Sequence, residues 1–555
     1  MKKWWHNKVA YQIYPKSFCD TNADGIGDLK GIISKLDYLK DLGIDIIWLS
    51  PIYCSPMVDQ GYDISDYYNI DPSFGTMDDM ETLLEEAKKR NMYIIMDLVV
   101  NHCSDKHEWF KKALEDPDGE YGKYFYIREG KGDNPPCNWR SYFGGSVWEK
   151  IPNTNKYYFH SFAKEQPDLN WENPKVKEEI YKMINWWLDK GLAGFRIDAI
   201  INIKKDLSFQ DFEADGEDGL CDISKMLNKA QGIGDMLKEL KRETFDKYDA
   251  FTVGEVFNAK EGELGKFIGE DGYFSSIFDF DMEVLGQEQS NRWYLNKEFT
   301  TNELREVIFK SQLEALGIGF KANIIENHDE PRGVSRYIKA GECNDTSKKA
   351  LAIIEVMRRG IPFIYQGEEI GMTNNNLDSI DKFNDISTIE NYDRAIKEGF
   401  SKEEALKLVN KFSRDNGRTP FQWNDSINAG FTEGTPWLGV NKNYKEINVE
   451  SQLNDKNSVL SFHKELIKLR KSEEYSEAIV YGDFIPDLEN YDNVISFYRK
   501  GKDKNLMVII NYQNKKQMID FEEKYKMLIN NYGYVEIDNN KLMLEPYQGI
   551  VVEIL

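Results

Sequence analysis

At 555 residues the chain is too long for one hydrophobic core, and two to four domains are expected. Apolar content of 41% can bury a large interior and excludes a disordered chain, while a formal net charge of −24 excludes nucleic-acid backbones and anionic membranes, which select basic surfaces. No eighteen apolar residues run together, and the N-terminus MKKWWHNKVAYQIYP lacks the apolar core and cleavage site of a secretory leader, so a cytoplasmic protein is expected.

Strand-like apolar runs recur along the chain. The first is VAYQIYP from Val9, followed closely by DTNADGIGD, residues 20–28. Asp20, Asn22 and Asp24 alternate and then give way to glycine, as in the first half of a calcium loop. The bidentate Glu such a loop needs is missing, because Gly31 stands there; Asp, Asn and Gly are equally the residues of a tight turn. Both readings stay open on the residues alone.

Further runs are IDIIWLS from Ile44, YIIMDLVV from Tyr93, GFRID from Gly194 and FTVGE from Phe251. SIFDFD from Ser276, KANIIENHD from Lys321 and GIPFIYQGEE from Gly360 complete the set. Their interiors are nearly continuous hydrophobics, the pattern of parallel strands covered on both faces. Amphipathic helices lie between several of them. NPKVKEEIYKMINWWLDKG is the clearest, with Asn173 as cap, Pro174 in the first turn, Gly191 at the end, and Val176, Ile180, Ile184, Trp187 and Leu188 on one face. Eight strands alternating with helices predict an α/β protein built on a (β/α)8 TIM barrel, with a doubly wound sheet as the alternative.

One interval is out of proportion. From Cys103 to about Leu192 some ninety residues replace a connection of about thirty. Residues 103–170, rich in Gly, Asn, Pro and aromatics, are read as an inserted B subdomain after the third strand. Residues 1–102 and 171–475 then form the barrel, with a lid segment at about 370–440. From 476 to 555 the runs alternate between turns, which predicts a C-terminal antiparallel β-sandwich domain. The six cysteines include no CxxC pair and no zinc-ligand spacing with His, so free thiols are expected.

In such a barrel, catalytic groups stand at the C-terminal ends of strands. The third run leads into Asp97, Asn101 and His102. The fourth carries Arg196 and Asp198, two apart and so on the same side of an extended chain. Glu255 ends the fifth, and His328 and Asp329 follow the seventh. Three carboxylates at strand ends suit glycoside hydrolysis, which needs one carboxylate nucleophile and one carboxylic acid to protonate the leaving oxygen. The acid must be kept protonated by burial and a nearby negative charge, and Arg196 is expected to hold Asp198 ionised. A buried Arg196–Asp198 ion pair with no catalytic meaning is the competing reading. His6, His107, His160 and His463 are given no function.

On these residues, and on QIYPKSFCDTNADGIGDLKGI, WLSPIYCSPMVDQGYDISDY, DLVVNH, QPDLNWENP, GFRID, TVGEV, ENHDEPR and SRDNGRTPFQW, the chain resembles the α-amylase superfamily of glycoside hydrolases, in its oligo-1,6-glucosidase and α-glucosidase branch. The likeness spans essentially the whole chain. It implies Asp198 as nucleophile, Glu255 as general acid and then base, and Asp329 as the carboxylate that stabilises the transition state. Asp59, Tyr62, His102, Phe162, Gln166, Arg196, His328 and Arg418 would hold the glucose, with Arg414 as the alternative to Arg418. It also implies a structural Ca2+ or Mg2+ on Asp20, Asn22, Asp24, Asp28 and the carbonyl of Ile26.

Ala199 follows the nucleophile, where branch members favouring α-1,6 bonds usually carry Val. The smaller side chain widens the aglycone side and shifts preference by about 1–3 kcal/mol at most, so cleavage of both 1,4 and 1,6 bonds is expected. Glu330, replacing the common Gln, and GEVFNA after the acid are further departures. The RLDRD segment of sucrose isomerases is absent. The resulting expectation is an exo-acting retaining α-glucosidase acting on short oligosaccharides as a monomer or weak homo-oligomer. A trehalose-6-phosphate hydrolase or transglucosylase on the same site is the nearest alternative. A non-catalytic sugar-binding or scaffold protein would be expected to lose catalytic acids that all stand here.

Overall fold

The computed structural model describes residues 2–257, 262–288 and 292–555. At its centre stand eight strands: β1 Ala10–Ile13, β2 Ile46–Leu49, β3 Tyr93–Leu98, β4 Gly194–Ile197, β5 Phe251–Gly254, β6 Ser276–Ile277, β7 Ala322–Asn323 and β8 Ile361–Tyr365. Each lies inside one of the eight runs read from the sequence. The order is β6-β5-β4-β3-β2-β1-β8-β7, parallel throughout. A further parallel bridge, Phe278 to Ala322, joins the two ends. The sheet is therefore a closed barrel, and the doubly wound alternative, which leaves two open edges, is excluded.

Ala10, Ile46, Trp48, Ile95, Val253, Phe278, Ile361 and Phe363 belong to one buried cluster, which also holds Trp5 and Val480. A larger cluster joins strand residues such as Ile47, Ile94 and Phe195 to the surrounding helices. The helix Pro174–Asp189 behaves as its sequence dictates. The Asn173 side chain accepts from the Lys175 amide at 3.1 Å, and all five residues of the predicted apolar face are buried.

After β3 the chain makes a helix, Glu108–Glu115, and a small antiparallel sheet of Ile127–Glu129, Lys156–Phe159 and Trp148–Lys150. This insertion does not complete its own core. Tyr126, Trp139, Trp148 and Phe159 pack against Phe209, Cys221, Ile223 and Met226, which come from the connection after β4. Cys221–Asp222 also pairs with Trp139–Arg140. The sequence singled out one long interval, but two excursions share this subdomain.

The C-terminal domain stacks two antiparallel sheets. One has the order 483–487, 494–500, 505–511, 549–554, 525–530, and the other 517–520, 541–544, 536–538. Val494, Met507, Ile509, Ile519, Leu542 and Val552 form the core between them. Phe484, Phe497, Val508 and Val551 face the barrel helices, packing with Leu304, Ile308 and Ile353. Among the described residues, no helix is long and apolar enough to cross a membrane.

Candidate active site

Parallel register builds the centre of the site. Arg196 lies opposite Asp97, and Ile197 opposite Gly254. One residue further on, the Asp198 amide donates to the Leu98 carbonyl and the Glu255 amide to the Ile197 carbonyl, each at 3.0 Å. Asp198 and Glu255 therefore leave adjacent strands side by side, about 4.8 Å apart. Arg196 joins the acids. Its Nη1 donates to Asp97 Oδ1 and to Asp198 Oδ1 at 2.8 Å, and its Nη2 lies 2.9 Å from Glu255 Oε1. The chain then turns through Ala199 in the left-handed region (φ 41°), whose amide donates to Glu255 Oε2 at 2.7 Å.

Asp329 is held from the opposite side. Gln12 Nε2 donates to His328 Nδ1 at 2.8 Å, which leaves the ring proton on Nε2, 3.0 Å from Asp329 Oδ2. The Tyr62 hydroxyl contacts the same Nε2 at 2.6 Å and donates to Asp97 Oδ2 at 2.9 Å, so one chain of hydrogen bonds runs from Asp97 to Asp329. Arg418 Nη2 and Arg414 Nη1 donate to Asp329 Oδ1 at 2.9 and 3.1 Å.

These groups border a cavity of about 1200 Å³. Asp59, Tyr62, His102, Phe162, Asp198, Ala199, Glu255 and Asp329 line it. Gln166, Arg196, His328 and Arg418 stand behind the wall, each at most 2% exposed. Gln166 Nε2 donates to Asp59 Oδ2 at 3.2 Å and touches the His102 ring, so it orients two wall residues. Of the two arginines weighed from the sequence, Arg414 faces the cavity, while Arg418 bonds the His328 carbonyl and Asp329 from behind. Phe162 stacks on Tyr142 with ring centres 5.0 Å apart. Asn258 and Ala259, which follow the acid, lie outside the described residues.

One end of the cavity is shut. Arg414 Nη2 lies 2.6 Å from Asp385 Oδ1 and 3.5 Å from Asp59 Oδ1, and Gln60 Nε2 donates to Asn384 Oδ1 at 2.6 Å. The loop after β2 is thereby fastened to the segment at 384–414. Asp385, fully buried, also caps the helix Ile386–Lys397 through the amides of Ser387 and Thr388. Sequence reading missed Asp385. Its one signal was an N-cap Asp ahead of a helix, which says nothing of a distant arginine.

Burial pushes Asp198 and Glu255 up, each to about 7. Arg196 opposes this, and neighbouring carboxylates reinforce it. Burial also lifts Asp97 to about 6 against the pull of Arg196 and Tyr62. One guanidinium serves three carboxyls. Arg196 thus pulls Asp198 toward the ionised form, as expected from the sequence, but burial and the neighbouring carboxyls oppose it, and the two acids facing one guanidinium are coupled. Burial acts on Asp329 too, but His328, Arg414 and Arg418 outweigh it and hold this carboxyl well below the usual range. Burial depresses His328 itself, so the two arginines carry that effect at neutral pH.

In loop 20–28 the carboxylates accept main-chain hydrogen bonds. Asp20 Oδ1 takes the amides of Asn22 and Ala23, Asp24 Oδ1 takes that of Ile26, and Asp28 takes those of Thr21 and Gly31. Asp20 and Asp28 accept two hydrogen bonds at each oxygen, whereas Asn22 Oδ1 and both oxygens of Asp24 accept one each and keep a lone pair that an oxygen-liganded cation could use.

The chain matches the α-amylase catalytic domain over residues 12–482 and the α-amylase SusG C-terminal domain over residues 494–551. It is 43% identical to the oligo-1,6-glucosidase of Parageobacillus thermoglucosidasius, over 99% of both chains. Among solved structures it is similar to the trehalose-6-phosphate hydrolase of Bacillus licheniformis, at 40% identity and a TM-score of 0.92, with both chains covered completely. It is also similar to the trehalulose synthase of Pseudomonas mesoacidophila, at 38% identity and a TM-score of 0.94, again over the whole of both chains. With Asp198, Glu255 and Asp329 gathered around one cavity at the C-terminal rim of a closed barrel, the chain belongs to the α-amylase family of glycoside hydrolases.

Proposed function

We propose that this protein is an exo-acting, retaining α-glucosidase that removes glucose from the non-reducing end of short α-1,6- and α-1,4-linked oligosaccharides. The observation that carries this is the single guanidinium of Arg196 spanning Asp198 and Glu255. Two carboxyls sharing one guanidinium are close neighbours, which supports the retaining class, whose carboxyls stand about 5–5.5 Å apart and leave no room for a water between nucleophile and sugar. Asp198 attacks the anomeric carbon while Glu255 gives its proton to the departing glycosidic oxygen. The C–O bond breaks and a β-glucosyl ester forms. Glu255, now ionised, takes a proton from water, whose oxygen displaces Asp198 and yields α-glucose. Asp329 stays ionised throughout and stabilises the positive charge that develops on the sugar ring. The closure at Asp59, Arg414 and Asp385 stops a chain from running through, which supports exo action.

A phosphorylated substrate is disfavoured by the cavity wall. Among the described residues its cations are already paired: Arg140 with Asp215 and Asp218, Lys204 with Glu172, Lys266 with Glu263 and Arg414 with Asp385. The wall also contains Asp222, which forms no ion pair among the described residues, so a phosphate would meet net negative charge. A panel of maltose, isomaltose, sucrose, trehalose and trehalose-6-phosphate tests the reading. α-Glucose released from isomaltose and maltose is expected; preferential cleavage of trehalose-6-phosphate would replace this assignment.

The same reading includes a structural Ca2+ or Mg2+ on Asp20, Asn22, Asp24, Asp28 and the Ile26 carbonyl. Its role would be to pin a loop that already bonds residues 431–437 through Asp20 and Gly25. Chelation with EDTA should lower Tm more than activity, and an unchanged melt would remove the ion from the assignment. Six unpaired cysteines support a cytoplasmic location.

A further inference from the structure

Outside the cavity, three elements bring Glu355, Glu368 and His463 together. Glu355 lies on the helix Asp345–Met357, Glu368 opens the turn after β8, and His463 lies on the helix Val459–Lys471. All three are buried, at 0%, 6% and 2% exposure. One nitrogen or oxygen from each lies within 4.8 Å of the others. None of them lines the cavity.

The hydrogen bonding of these groups is unfinished. Nε2 of His463 has no partner, and the oxygens of Glu355 find none beyond the carboxyl of Glu368, with which they can bond only if one of the two acids keeps a proton. His463 Nδ1 lies 3.0 Å from the Val459 carbonyl, so the ring proton sits on Nδ1 and Nε2 presents a lone pair. This is the arrangement of a metal-ligating imidazole, whose far nitrogen is fixed by a carbonyl. Glu368 Oε2 accepts the Tyr365 amide at 3.2 Å. Among the described residues no lysine or arginine forms an ion pair with either acid; nearby Arg358 and Arg332 are engaged by Asp279 and Glu326. Adjacent Glu369 shows the contrast, since it accepts the hydroxyls of Tyr11 and Tyr38 at 2.7 Å and the Gly367 amide.

We propose that Glu355, Glu368 and His463 form a binding site for one divalent transition-metal ion of the Zn2+ or Mn2+ kind. One imidazole nitrogen with carboxylate oxygens suits these ions better than calcium, which takes oxygen alone, or copper(I), which favours sulfur. With Glu355 bidentate, the three side chains supply four donor atoms. The ion would neutralise two buried carboxylates and tie two helices to the turn after β8. Without an ion these acids must hold a proton, and burial does push both up, Glu355 to about 7.

The test uses untagged full-length protein, stripped with EDTA and then equilibrated with ZnCl2 or MnCl2. Elemental analysis after gel filtration should find one equivalent retained, with Tm raised by several degrees. Glu355→Gln and His463→Gln should lose both effects, and Asp24→Asn should keep them. No retained metal in the wild type, or undiminished retention in the two Gln variants, overturns the proposal. Should those variants fail to fold, X-ray absorption on the zinc-loaded wild type decides. An imidazole in the first coordination sphere is expected, and an all-oxygen sphere, as loop 20–28 would give, refutes the site.

Discussion

The two ends of the cavity are built differently. At the glucosyl end, Asp97, Arg196, Asp198 and Glu255 stand on or just past three adjacent barrel strands, and strand register fixes their spacing. At the outer end, Ile201, Asn202, Asp222, Leu227 and Gln231 come from the connection after β4, and Val284 and Glu288 from the one after β6. The connection after β4 is tied to the inserted subdomain rather than to the barrel strands, through Arg140 with Asp215 and Asp218, Asn138 with the Phe212 carbonyl at 2.9 Å, and Tyr142 Oη with Asn202 Oδ1 at 3.0 Å. The chemistry is thus set by a rigid frame, whereas the shape offered to the second sugar depends on how two excursions pack together. Loops over a fixed barrel can change specificity without touching the reacting groups.

The largest expected effect lies at the rigid end. Asp198→Asn and Glu255→Gln should each lower kcat on maltose and isomaltose by about 10⁴-fold or more. A variant retaining a tenth of wild-type kcat would break the assignment of roles. Next comes Arg196→Lys, which keeps the charge but loses the fork that spans both acids. A fall in kcat of about 10²–10³-fold is expected, the size carried by one preorganised donor. Because Arg196 lowers both acids, weakening it should also move both limbs of the pH–rate profile upward. An unmoved profile would separate Arg196 from their titration.

At the outer end effects should be smaller. Ala199→Val narrows the aglycone side and should raise the isomaltose-to-maltose ratio of kcat/KM by about 10-fold or less, within the roughly 1–3 kcal/mol worth of such contacts. Since Ala199 sits in the left-handed region, a β-branched side chain there should also cost about 1–2 kcal/mol of stability. An unchanged ratio would dissociate Ala199 from linkage choice.

The last effect concerns stability and leaves the rate aside. Glu255 is raised from the ordinary Glu value to about 7, so the folded protein keeps a proton that the unfolded chain has lost. This contribution is fully present below about pH 4 and disappears as pH rises through 7. Glu255→Gln, which cannot ionise, should therefore match the wild type near pH 4 and exceed it near pH 8 by up to about 3 kcal/mol. Denaturant melts at the two pH values measure this, and equal differences at both would contradict the raised Glu255.

The sequence by itself determined the eight strands, because a strand buried on both faces must be continuously apolar, and each run such as YIIMDLVV stands out from its polar flanks. It also placed the three acids that line the cavity, since Asp198, Glu255 and Asp329 follow those runs directly and need only strand geometry to be aimed. Folding decided what depends on contacts between distant segments. That Arg414 faces the cavity while Arg418 stands behind Asp329 cannot be read from two arginines four residues apart. The excursion after β4 completes the inserted subdomain through Phe209 and Ile223, whose partners Tyr126, Trp139, Trp148 and Phe159 lie far earlier in the chain. Nor does any local pattern show that one guanidinium must serve three carboxyls. That sharing arises only when neighbouring strands meet in register, and burial of the shared group pushes Asp198 and Glu255 up.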